Sequence, residues 1–407
     1  QAFLEKDKKL ELREGQEQIS TSLVWGIKQD QTNLEVKKSY TFQRGRYDIL
    51  LTYDIKNLGT QDYTFVLYNQ LVKKDVKEER SMFNVETYSY NGPIIYNGES
   101  YQKIDTNELA GSPLRETHTN GWASNIQHHF LVAMVPEQNQ PYAFSASSDP
   151  ANELYKVAMV GQTPVTVRPG ARAQVSTTLV VGPKIQEQLK DVAQGLELSV
   201  DFGVLAFLSA PLFWVLERVH RLVQNWGVAI ILVTLLIKLL FYPLTEASGK
   251  SMAKMRKVTP RIKAIQDRHK DDKQAQSQAM MELYKKEKVN PMAGCLPMLI
   301  QIPFFIAFYW VLLESVEIRQ APFFLWIQDL SSRDPYFVLP LIMGLGMFFQ
   351  QKLNPAPPDP MQAKVMMAMP IMFTGMFAFF PSGLVLYWLT NSLLSIAQQW
   401  KINRATQ

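Results

Sequence analysis

Five long apolar runs in the C-terminal half limit the fold of this chain more than any other feature. They cover residues 226–244, 291–313, 336–351, 365–380 and 383–400, and four of them contain no Asp, Glu, Lys or Arg. At the helical rise they extend about 24–35 Å, the scale of a bilayer's hydrocarbon core of about 30 Å. A single buried helix of a water-soluble protein can look like this. Five in one half of a chain point instead to a bundle of helices in lipid.

Charge divides the chain in the same way. Residues 1–200 hold 21 Lys/Arg and 24 Asp/Glu, residues 245–290 hold 12 and 6, and residues 291–407 hold 6 and 5. The first stretch reads as water-soluble, the second as a basic insert and the third as lipid-soluble. Averaged over 407 residues, 42 Lys/Arg against 37 Asp/Glu gives only +5, which excludes a DNA-binding field over the whole molecule. The one cysteine, Cys295, excludes an internal disulfide and a Cys-rich zinc site. No metal site, cofactor or catalytic constellation is expected.

The basic 245–290 insert is expected in the cytosol, because short loops rich in Lys and Arg stay inside. Alternation then places 314–335 outside, 352–364 inside, the Pro381-Ser382 turn outside and the tail 401–407 inside. Residues 1–225 are external. An external domain needs a helix to carry it across, and none precedes Gln1, so a membrane segment N-terminal to this chain is expected.

Residues 1–198 read as a β-domain. Leu34–Phe42 and Tyr47–Ile55 are rich in β-branched and aromatic residues and flank Gln43-Arg44-Gly45-Arg46. Similar runs recur near 63–71, 82–90, 128–135, 141–146, 153–160 and 173–181, divided by turn signals such as Asn91-Gly92-Pro93 and Pro169-Gly170. This spacing predicts an antiparallel sandwich. His128-His129 are expected on a strand, one inward and one outward. Trp122, Tyr88, Tyr90 and Tyr96 are read as core rather than as a sugar cleft. Residues 199–225 form an amphipathic helix, bent at Pro211, that either lies along the membrane plane or covers the β-domain.

Lys238 is the only charge in the five apolar runs. A lysine so far inside the bilayer costs about 2.5–3.5 kcal/mol to insert, so a water-accessible, functional lysine is expected. Thr234, Lys238 and Tyr242 are spaced i, i+4, i+8 on one helical face. The last run carries a matching stripe of Tyr387, Asn391, Ser395 and Gln399, flanked by Trp388 and Ser392, and Gln301 is a lone amide in 291–313. These stripes either converge on a hydrated cavity or make ordinary interhelical hydrogen bonds. No acidic residue lies in the runs, which weighs against a proton or ion relay. In the insert, Lys250, Lys254, Lys257 and Arg261 make a basic face. It suits anionic lipid or RNA phosphates, or is simply solvated. Fourteen of the seventeen methionines lie from Met252 onward, a composition that suits varied apolar partners.

Four segments carry a resemblance. Tyr242-Pro243-Leu244-Thr245, Ser251–Arg256, Asn290–Pro297 with Gln301-Ile302-Pro303, and Phe380–Trp388 resemble the YidC family of bacterial membrane-protein insertases, relatives of the mitochondrial Oxa and chloroplast Albino proteins. The resemblance implies an α+β membrane protein of the bacterial inner membrane. Its periplasmic domain would be an antiparallel β-supersandwich like that of sugar mutarotases. Five transmembrane helices with a cytosolic helical hairpin and a cytosolic C-terminus would follow. It also implies a positively charged hydrophilic groove, with Lys238 standing where many members have Arg. Thr234 and the Tyr387-Trp388 pair match positions that meet the incoming client. Ala293 stands where Gly is frequent. Implied partners are nascent membrane proteins, the Sec translocon (SecYEG and SecDF), the ribosome with its signal-recognition machinery, and the lipid bilayer. The competing readings are a small-solute transporter, which predicts internal repeats that are not seen, and a membrane-anchored carbohydrate-active protein.

Overall fold

A computed structural model describes residues 10–29, 32–75, 89–109, 111–269, 272–287, 296–353 and 360–406. The chain forms two compact units. The first is Gln1–Asp201 with Glu314–Val316, and the second is Phe202–Leu313 with Glu317–Gln407.

The first unit is built of antiparallel strands: β1 (Gln18–Gln29), β2 (Thr32–Gln43), β3 (Asp48–Asn57), β4 (Tyr63–Phe65), β5 (Tyr68–Lys74), β6 (Gly92–Tyr96), β7 (Tyr101–Lys103), β8 (Leu114–Thr119), β9 (Trp122–Ile126), β10 (Phe130–Pro136), β11 (Pro141–Asp149), β12 (Leu154–Gly161), β13 (Val165–Val167) and β14 (Arg172–Pro183). Two helices accompany them, α1 (Thr106–Leu109) and α2 (Gln186–Val192). One sheet runs β1-β2-β3-β14-β10-β9-β6-β7, a second runs β5-β12-β11-β8, and β13 pairs with β4. Gly45, at φ +71°, supplies the left-handed backbone of the turn between β2 and β3.

Side chains alternate across a strand, so a sheet covered on both faces is buried at every position. β6 and β9 show this. On one face Ile95, Ala123 and Met134 meet Phe144, Tyr155, Val157 and Met159 of the second sheet. On the other, Ile94, Tyr96, Trp122 and Val135 meet Leu189, Ala193 and Leu196, in and just after α2. Each large apolar side chain so buried contributes about 1.5–3 kcal/mol. The result is the sandwich expected from sequence. Trp122 and Tyr96 are core residues, their rings stacked at 5.4 Å. Tyr90 donates its hydroxyl to Pro93 O and Ile104 O.

The details differ in three places. β1 is a full edge strand that the apolar runs do not mark. The 63–71 run is divided at Val66-Leu67 into β4 and β5, which join different sheets. Most of the 82–90 run, with Tyr88, lies outside the described residues. His128 and His129 sit in the turn before β10, not on a strand, and their rings stack at 3.7 Å rather than facing opposite ways.

The second unit is helical: α3 (Ala206–Val223), α4 (Trp226–Leu240), α5 (Tyr242–Arg268), α6 (Lys273–Lys286), α7 (Leu296–Glu314, whose last residue belongs to the first unit), α8 (Val338–Leu353), α9 (Pro360–Phe377) and α10 (Ser382–Thr406). α3 runs through Pro211 unbroken, ends at Gln224 in left-handed backbone, and α4 restarts with Asn225 accepting from Val228 N. α5 and α6 fold back on each other over Val258 and Ile262, with Met255, Met280, Leu283 and Tyr284 around them. Asp272 caps α6 by accepting from Gln274 N and Ala275 N. α10 lies against α4, α5 and α8.

By length and composition, one described helix can cross a membrane, Gly203–Val223, which overlaps the segment expected along the membrane plane. Trp226–Leu240 and Tyr242–Ser251 qualify only as a pair, bent by 62° at the break between them. The 226–244 run is therefore not one straight helix. Pro243 lacks the N–H that Leu239 O would accept, and it restricts Tyr242 before it, so a new helix begins. Leu299–Glu314, Val338–Leu353 and Ala363–Phe377 are shorter apolar helices. The motif residues 290–295 lie outside the described residues.

Candidate functional site

α4 presents Leu232, Leu235, Leu236, Leu239 and Leu240 outward, while Thr234 and Lys238 are buried. Spacing of four residues places those two on one face, and packing against α10 buries that face. Lys238 is 8% exposed, and its Nζ donates to Ser395 Oγ at 2.8 Å. Ser395 Oγ in turn donates to Asn391 O at 2.7 Å. The Asn391 carboxamide pairs head to tail with Gln301 of α7, at 3.1 and 3.4 Å. A polar seam thus runs from α4 through α10 to α7. It brings Lys238 and Gln301, distant in sequence, to Asn391 and Ser395 on one face of α10. Among the described residues no carboxylate pairs with Lys238.

The other expected members behave differently. Thr234 Oγ1 donates to Ile230 O at 2.6 Å, inside its own helix. Tyr242 does not continue the Thr234–Lys238 stripe, because the break at Phe241 puts it on α5. Its ring lies 5.6 Å below Lys401 Nζ. Tyr387 is buried and stacked on Phe308 at 4.6 Å. Trp388 meets Phe305 edge-on at 4.9 Å and Phe377 at 5.5 Å. Eight residues of α10 separate Tyr387 from Ser395, about 12 Å along the axis. The aromatic pair therefore forms a second layer, distinct from the seam.

On α5, Lys250, Lys254, Lys257 and Arg261 are all exposed. Lys250 pairs with Glu246 at 2.8 Å, and Arg261 pairs with Glu287 beyond α6. Two of the four basic groups are therefore partly neutralised. Gln399 is half-buried at the end of the expected stripe, whereas its neighbour Gln398 is buried. Sequence reasoning missed Gln398. Its spacing of three from Ser395 was the available signal. A cavity of about 410 Å³ lies elsewhere, in the first unit, lined by Asn97, Glu99, His118, Asn120 and Gln194 among others.

A β-sandwich followed by apolar helices around a buried lysine defines a class, membrane proteins with a large domain outside the bilayer. Known proteins make this specific. The family described as "YidC periplasmic domain" matches residues 1–215, and that described as "60Kd inner membrane protein" matches 218–407. The membrane protein insertase YidC of Alkalilimnicola ehrlichii is 50% identical over 394 residues, 97% of this chain and 69% of that one. That of Thioalkalivibrio sulfidiphilus is 50% identical over 396 residues, 97% and 70%. That of Pseudomonas fluorescens SBW25 is 47% identical over 398 residues, 98% and 70%. A crystal structure of an active YidC insertase with its first transmembrane domain resolved aligns over 92% of this chain and 93% of that one, at 20% identity and TM-score 0.44. The chain belongs to the YidC family of membrane protein insertases. It is an inner-membrane protein with a periplasmic domain, it acts on nascent membrane proteins, and its family is not one of enzymes.

Proposed function

We propose that clients pass through a hydrophilic groove centred on Lys238. A client's polar segment enters from the cytosol, is held near the ammonium and moves outward, while its apolar segment slides along the helices into lipid. The observation that carries this reading is a buried ammonium with one hydroxyl acceptor and no acidic partner among the described residues. Such a charge is costly unless water or a ligand solvates it. Transfer of the apolar segment drives the step, at about 25 cal/mol per Å² removed from water. α8 spans about 24 Å, and a helix that short thins the bilayer locally and shortens the crossing.

The topology is part of the proposal: five spans, a cytosolic α5–α6 hairpin and a cytosolic C-terminus. Ser382 N donates to Ser332 O at 2.7 Å, which supports a common side for the 314–335 loop and the 381–382 turn. The Lys401–Tyr242 contact supports a common side for the tail and the start of α5. We read α3 as interfacial because Glu217, Arg218, His220 and Arg221 crowd its C-terminal half. The hairpin captures clients with its basic face. Partnership with SecYEG, SecDF and the ribosome is proposed from the family resemblance.

The test uses two single-span clients that differ only in an acidic or neutral translocated segment, and proteoliposomes containing the insertase. Lys238→Arg should insert both. Lys238→Ala should fold, yet insert the acidic client poorly and the neutral one better, because the lost term is attraction to charge. Wild-type rates for both clients in Lys238→Ala and Lys238→Glu would make the lysine a bystander and end this mechanism.

A further inference from the structure

The buried face of α10 holds a donor that the polar seam does not use. Gln398 is 8% exposed, and its Nε2 finds no acceptor among the described residues. It lies three residues after Ser395 and seven after Asn391, so the three share a face of the helix. Ser395 accepts one proton of the Lys238 ammonium, which carries three. N–H donors are therefore in excess along this stretch. The seam's own acceptors are engaged, because Ser395 Oγ is held between Lys238 and Asn391 O, and Asn391 and Gln301 satisfy each other. A buried amide donor without a partner destabilises a fold. Retaining one on the helix face whose Ser395 meets an under-used ammonium calls for acceptors that come from outside.

We propose that Gln398 is a client-contact residue, and that Gln398 and Lys238 together bind main-chain carbonyl oxygens of an extended client segment. This rests on the reading of Lys238 as client-facing and adds the chemical group that is recognised. Every residue of a client carries a carbonyl, and an unfolded segment leaving water has many without a donor. A neutral amide that donates to carbonyls does not discriminate client charge. Preference for acidic clients then comes from Lys238 alone, and general affinity for any extended segment comes from both residues. One pair of donors, Lys238 on α4 and Gln398 on α10, accepts sequences of every kind, as an insertase requires.

The experiment measures insertion of the same acidic and neutral clients in proteoliposomes, together with thermal unfolding of the purified insertase. Gln398→Leu removes the donors at similar volume. It should slow both clients by the same factor, about three- to tenfold, the equivalent of one hydrogen bond. It should unfold at or above the wild-type temperature, because an orphaned donor is gone. Gln398→Glu replaces donors by an acceptor of the same shape and should slow the acidic client most. Wild-type rates for both clients in Gln398→Leu overturn the contact. Slower insertion with a lowered unfolding temperature also overturns it, making Gln398 structural. If Lys238→Ala inserts both clients normally while Gln398→Leu slows both, the lysine mechanism fails and the amide contact stands.

Discussion

At the scale of single residues, the same residue type does different work according to what its polar atom meets. Thr234 and Ser395 are both hydroxyls on buried helix faces. Thr234 bonds the carbonyl four residues back in its own helix, whereas Ser395 joins two helices by accepting from Lys238. Thr234→Val keeps the shape and loses only an intrahelical bond. Thermal unfolding should therefore register about 1 kcal/mol or less, with insertion close to wild type. Ser395→Ala leaves a buried ammonium without its acceptor and should cost about 1–3 kcal/mol, which Ser395→Thr should largely restore. A larger loss from Thr234→Val than from Ser395→Ala would reverse these assignments.

At the scale of elements, the break between α4 and α5 decides which residues can share the site. Pro243 removes one helical hydrogen bond, and its ring crowds the preceding turn, together about 3 kcal/mol against a continuous helix. Pro243→Ala returns the N–H to Leu239 O. Spin labels at positions 232 and 251 should then move apart as the 62° bend relaxes. An unchanged distance would mean that packing on α10 imposes the bend. Much of this level was legible in the sequence. The α5–α6 hairpin, the sandwich and the seam of Lys238, Ser395, Asn391 and Gln301 follow from periodicity, turn residues and the scarcity of charge. Periodicity is blind to its own interruption, so it groups Tyr242 with Thr234 although Pro243 follows Tyr242 directly. It also cannot choose between adjacent glutamines: a spacing of four from Ser395 selects Gln399, and a spacing of three, equally helical, selects Gln398. β1 escaped because Gln18–Gln29 is half-exposed and mostly polar, so its strand character comes from pairing with β2 rather than from its own apolar pattern.

At the scale of the whole molecule, the two units do not follow the linear chain, since Glu314–Val316 belongs with the first. An apolar run ending at 313 gives no hint of this, because the reason lies in distant side chains. Glu314 is 2% exposed, accepts from Ser89 Oγ, and lies 3.8 Å from both His128 Nε2 and Lys184 Nζ. Lys184, 1% exposed, donates to Ser199 O at 3.2 Å, and burial pulls it below the ordinary lysine range despite the carboxylate beside it. A buried ion pair adds little over apolar packing, but losing one partner leaves a charge uncompensated at about 3–5 kcal/mol. Glu314→Leu should therefore destabilise the first unit by that amount, and adding Lys184→Met should recover most of it. Removing the periplasmic domain breaks the same cluster. Deleting residues 18–201 behind a supplied anchor helix also removes Ser89, His128 and Lys184, which leaves Glu314 without the groups that hold it. That variant should accumulate poorly through a folding defect. Carrying Glu314→Gln as well, it should insert a Sec-independent client at close to the parent rate, because the Lys238 seam lies wholly in the second unit. If the double change accumulates normally and still fails to insert, the periplasmic domain takes a direct part in insertion.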